Sequence, residues 1–93
     1  MTKRNKTTTP AHVFNNNTDL SPADIAALPV IGKTVNNWRQ RNITLHAHPT
    51  DPTRLVSVGV TFDGAVTVVC DESRDEWRVA LDYIAHGKVY VFE

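Results

Sequence analysis

The chain has 93 residues, 41% of them hydrophobic, and its ten Lys and Arg are matched by ten Asp and Glu. That balance fits one small folded domain and excludes a wholly disordered or supercharged chain. A single cysteine, Cys70, excludes an internal disulfide and points to a reducing, cytoplasmic setting. No apolar run approaches the ~18 residues of a membrane span. Met1 to Pro10 carries basic residues without an apolar stretch behind them, which is not the pattern of a signal peptide.

The neutral total hides a split. Residues 1–42 hold six Lys and Arg against two Asp, a net +4, and residues 43–93 hold four Lys and Arg against eight Asp and Glu, a net −4. Local positive charge is what phosphate contacts require, so the first half is the expected polyanion-facing end.

Residues 1–18 read as a flexible basic arm, with no periodicity and a Lys3, Arg4, Lys6 cluster suited to a DNA backbone. Residues 19–93 read as one α+β domain. Its first helix starts at Ser21, an N-cap followed by Pro22 at the first helical position and Asp24 two further on. Leu20 and Ile25 are spaced as a hydrophobic staple, and Pro29 stops the helix after about two turns. Gly32 suits a tight connection, and a second helix is predicted over 33–41. Ile31, Val35 and Trp38 recur there at helical spacing and are expected to be buried against the first helix. Lys33, Thr34, Asn36, Asn37, Arg39, Gln40 and Arg41 fill the remaining faces.

Alternation then replaces the helical period. Ile43 to His48 predicts a strand, 49–52 a loop, and Val56, Val58, Val60 and Phe62 a second strand. Asp63-Gly64 is a hairpin signal, with Val66, Val68 and Cys70 alternating on the return. The register stays open: a two-residue turn pairs Phe62 with Ala65 and puts the valine sets on opposite faces, and one extra residue aligns them. Ser73 and Glu76 form a capping box for an amphipathic helix bearing Trp77, Ala80, Leu81 and Ile84, ended by Gly87. Val89 to Phe92 is a final strand. The expected order is α-α-β-β-β-α-β, an N-terminal helix-turn-helix over 20–42 followed by a small antiparallel sheet that serves as wing or scaffold. The last helix and strand would close the core or form a homodimer surface.

Ile25-Ala26, Gly32, Thr34-Val35 and Trp38 resemble the helix-turn-helix of phage excisionases and MerR-type regulators. The likeness covers about residues 20–42, with a turn one residue shorter than the usual pattern and Pro29 in a normally less rigid position. It implies a small double-stranded DNA-binding protein, a regulator or accessory factor of a phage, plasmid or mobile element. The second helix would enter the major groove. Asn36 and Asn37 would then suit adenine, and Arg39 and Arg41 guanine or phosphate.

Other constellations carry less. His46 and His48 share a strand face near Asp51, but zinc needs three or four ligands and no further spacing completes the set, so no cofactor is expected. No P-loop and no nucleophile–base pair is legible, and no enzyme activity is expected. An alternative of another class is an inhibitor or adaptor acting by protein contacts. Asp71, Glu72, Asp75, Glu76 and Asp82 would then present an acidic edge to a basic partner.

Overall fold

A computed structural model of the protein describes residues 11–93. Lys3, Arg4 and Lys6, the basic cluster of the expected arm, lie outside the described residues. In chain order the elements are β1 (Val13–Asn16), α1 (Pro22–Ala27), β2 (Val30–Asn36), β3 (Arg41–Ala47), β4 (Arg54–Thr61), β5 (Val66–Ser73), α2 (Arg78–Ala85) and β6 (Tyr90–Phe92). A 3-10 turn over Arg74–Trp77 leads into α2. The strands form one mixed sheet in the order β1-β5-β4-β3-β2-β6. The four central strands pair antiparallel, and β1 and β6 add parallel at the two edges.

The first helix forms as its signals predict. Ser21 Oγ accepts from the Asp24 backbone N–H at 3.1 Å, and Leu20 packs with Ile25 against the sheet. The expected second helix does not form. Residues 30–36 are β2, and 37–40 are the turn into β3. Four of the seven β2 residues (Val30, Ile31, Thr34, Val35) are β-branched, which favours strand over helix. The helical spacing of Ile31, Val35 and Trp38 rests on three residues only, and pairing with β3 outweighs it. Thr34 lies opposite Ile43 and Tyr90 and is 1% exposed. Trp38, expected in the core, stands at the turn with 69% of its surface in solvent. There is therefore no helix-turn-helix over 20–42. Nor is there a wing, because the β4–β5 hairpin is the interior of the sheet and not an appendage.

The hairpin register takes the strict form. Val58 lies opposite Val69 and Val60 opposite Thr67, where the ladder ends, and the Gly64 N–H donates to Thr61 O at 2.8 Å to close the turn. Gly64 supplies the positive φ, +74°, that this tight turn needs. Val56 and Val58 thus share one face with Val69, while Val66 and Val68 lie on the other, and both faces are used. On one face Ile25 of α1 packs on Val56 and Val69, with Leu20, Leu28 and Val58 around them. On the other, Ile43, Leu45 and Leu55 lie beneath Ile31, Trp77, Leu81 and Ile84. Leu55 and Val56, adjacent in sequence, are each fully buried in different clusters.

The C-terminal helix follows its apolar stripe. Ser73 Oγ accepts from the Asp75 N–H at 3.2 Å and caps the 3-10 turn rather than α2 itself. Gly87, at φ +74°, ends the helix as expected. Seating α2 on β2 requires Gly32, since a Cβ there would lie 2.6 Å from Ile84 Cγ2. The segment containing β1, expected to be unstructured, joins the sheet from residue 13 by parallel pairing to β5.

Candidate functional site

Helix α2 has eight residues and is therefore about 12 Å long, whereas the eight residues of β4 run about 27 Å. One helix of that length leaves part of its sheet face bare. The bare part is a cleft of about 450 Å³ at the end where the β2–β3 and β4–β5 turns lie. Register fixes its floor: Ile43, Gly59 and Val68 stand side by side across β3, β4 and β5, with Ser57 and Cys70 one step along. Glu72, Glu76 and Trp77 close one side, and Asn36, Arg39 and Arg41 the other.

The turn beside the cleft is held by its own backbone and side chains. Asn36 Oδ1 accepts from the Arg39 N–H at 3.0 Å. The Gln40 N–H donates to Asn37 O at 3.3 Å, and Gln40 takes φ +52°, an uncommon value for a side chain other than glycine. Gln40 O then accepts from the Phe62 N–H at 2.9 Å, tying the two turns together. Trp38 and Phe62 both stand exposed at this end.

The structure divides the residues expected to contact DNA. Asn36, Arg39 and Arg41 converge on the cleft, and Arg39 and Gln40 also line a shallower depression beside Phe62. Asn37 is taken up in the turn, its N–H donating to Phe92 O at 3.0 Å. Thr34 is buried, and strand alternation sends Lys33 to the opposite face. Sequence reasoning missed Gly59, Ser57, Phe62 and Phe92 as site residues. One signal was present: Ser57 interrupts a run of valines, and it is buried with its hydroxyl donating to Glu72 Oε2 at 2.6 Å.

The expected acidic edge is broken into local pairs. Arg54 Nε donates to Asp71 Oδ1 at 2.6 Å and His48 Nε2 lies 3.1 Å from Asp71 Oδ2. The Arg54 guanidinium, with His48 behind it, holds the Asp71 carboxyl below its ordinary range. Asp75 faces Arg78 at 3.6 Å and Asp82 faces His86 at 3.9 Å. By contrast, neither Arg39 nor Arg41 has a carboxylate within ion-pair distance among the described residues. Asp63, the nearest turn acid, accepts from the Thr61 hydroxyl and the Ala65 N–H, which hold it ionised below its ordinary range.

Both histidines of the pair have hydrogen-bond partners. His46 Nδ1 sits 3.1 Å from Leu28 O, and His48 Nδ1 accepts from the Asp51 N–H at 2.9 Å. Among the described residues no group of three or more His, Cys, Asp or Glu is placed to hold a metal ion. Among the same residues no helix is long and apolar enough to cross a membrane. No protein-family model, no curated protein and no solved structure matches this chain.

Proposed function

We propose that the protein binds DNA through the turn end of its sheet, not through a helix. Unpaired bases stack on Trp38 and Phe62, and Arg39 meets the phosphates at the mouth of the cleft that Arg41 lines. One observation carries this reading: Trp38, the more exposed of the two tryptophans, stands on the β2–β3 turn, and Arg39 and Arg41, which follow it within three positions, have no carboxylate partner among the described residues. An exposed indole is a sequence-tolerant platform for bases, and guanidinium groups match phosphate geometry. Of the acidic residues on which the adaptor reading rests, Asp71 and Asp75 lie in ion pairs with Arg54 and Arg78 of the same chain.

The test is oligonucleotide binding by the full chain at two salt concentrations. Single-stranded oligonucleotides should bind more tightly than duplex. With a slope of about 0.7 per phosphate contact, Arg39 alone lowers affinity about 2.6-fold when salt rises fourfold. Arg39→Ala should flatten that dependence by about 0.7. Absence of binding to either strand form at low salt would overturn the reading and favour a protein partner.

A further inference from the structure

The cleft has more volume and more chemistry than a backbone contact uses. About 450 Å³ lies within the range of small-ligand sites. At one end Arg41 folds over Gly59, so that a Cβ on Gly59 would meet Arg41 Cδ at 3.3 Å and Nη1 at 3.9 Å. Arg41 Nε is enclosed there without a hydrogen-bond acceptor among the described residues. A buried N–H left unpaired is costly, so a turn of the Arg41 side chain towards an acceptor in the cleft is favoured. Two positions along β4 on the same face, about 6–7 Å away, Ser57 donates to Glu72 Oε2. That single bond leaves Glu72 Oε1 and a second lone pair on Oε2 free to accept. Trp77 stands beside this gap, edge-on to Phe92 with ring centroids 5.8 Å apart.

We propose that the cleft holds one unpaired guanine base, Arg41 donating to its O6 and N7 edge, Glu72 accepting from N1–H and N2–H2, and Trp77 covering the ring. The assignment takes its ligand class from the DNA reading. Its base identity comes from the order of the groups, a donor and then a two-oxygen acceptor one base-width apart. Guanine alone among the four bases sets two acceptors beside two adjacent donors. Adenine and cytosine present one amino group each to a carboxylate, and thymine a single N3–H. Arg39, at the mouth of the cleft, is the phosphate contact, because Glu72 and Glu76 would repel a phosphate deeper in.

The experiment titrates the full chain with dGMP, dAMP, dCMP, dTMP and dIMP, followed by ¹H–¹⁵N NMR. The dGMP complex should be about tenfold tighter than the others. Its shifts should centre on Gly59, Glu72 and the Trp77 indole N–H. dIMP lacks the N2 amino group, so it tests the carboxylate contact on the unaltered protein. Glu72→Gln, which keeps an acceptor for Ser57, should bring the five nucleotides within about twofold of one another. Equal affinities for dGMP and dIMP, or shifts away from the cleft, would overturn the assignment. Oligonucleotide binding without any dGMP response overturns the guanine site and leaves the DNA reading standing. Selective dGMP binding by a chain that binds no oligonucleotide supports the site and removes the DNA reading instead.

Discussion

The two ends of the α2-bearing sheet face are built from the same strands and do opposite things. Under α2, Leu45 and Leu55 are wholly buried, and Gly32 exists to let Ile84 approach. Towards the turns, the same strands carry Ser57, Gly59 and Arg41 around an open cleft. The difference lies in helix length as much as in side chains. Eight residues of helix cannot roof a strand of equal residue count, because a helix rises about 1.5 Å per residue and a strand about 3.3 Å. Polar residues and glycine then occupy the unroofed end, where an apolar residue would gain little by burial.

Paired substitutions sharpen that contrast, and the largest difference is expected in the apolar floor. Leu55→Ala, beneath α2, should cost about 2–5 kcal/mol of stability by lost transfer energy and a cavity that cannot collapse. Val68→Ala, on the half-buried cleft floor, should cost about 1 kcal/mol or less, since solvent already reaches the site. Urea unfolding followed by circular dichroism measures both. For a small domain with about half a dozen kcal/mol in hand, Leu55→Ala approaches complete unfolding. Equal losses would mean that the cleft is closed in solution.

The glycines make the second pair. Gly32→Ala places its methyl group within 2.9 Å of three Ile84 side-chain atoms, and such overpacking typically costs about 1–3 kcal/mol. Gly59→Ala meets the flexible stem of Arg41 at 3.3 Å, which has the cleft to move into, and Ile43 Cγ1 at an ordinary contact distance of 3.6 Å. Removing a strand glycine gains backbone entropy, so Gly59→Ala should be neutral or stabilising by about 0.5 kcal/mol. A matching loss at both positions would show Arg41 to be as firmly packed as Ile84.

The same contrast explains what could be read beforehand. Ser21, Gly87 and the Trp77, Ala80, Leu81, Ile84 stripe act locally, through caps and one helical face, and each is found where its spacing predicts. The alternating valines of β4 and β5 likewise announce their strands. Residues 33–41 mislead because a polar, basic stretch with three spaced apolar residues satisfies a helical template. Its fate is decided by strands β3 and β6 instead, the latter more than fifty residues away. β1 has no signal of its own; its backbone groups are paired by β5. The cleft was hidden for the same reason, because Arg41, Ser57 and Glu72 come from three strands and meet only through register.

Trp38 and Trp77 form the last pair, with the smallest expected effect on stability and the most informative one. Trp77 is half-buried against the Ile43, Leu45 and Leu55 cluster, so Trp77→Ala should cost about 1–3 kcal/mol. Trp38 was expected in the core from its spacing, where the same change would cost about 3–5 kcal/mol. At 69% exposure it has little packing to lose, and Trp38→Ala should stay within about 0.5 kcal/mol of the parent. The substitution should instead appear in DNA binding, where loss of one stacked base costs about 1–3 kcal/mol of affinity. Thermal unfolding and single-strand titration of the same sample separate the two outcomes. A marked drop in melting temperature would place the turn in the folded core after all. An unchanged protein with unchanged DNA affinity would leave an exposed indole without a purpose on this face, and would move the contact away from the turn.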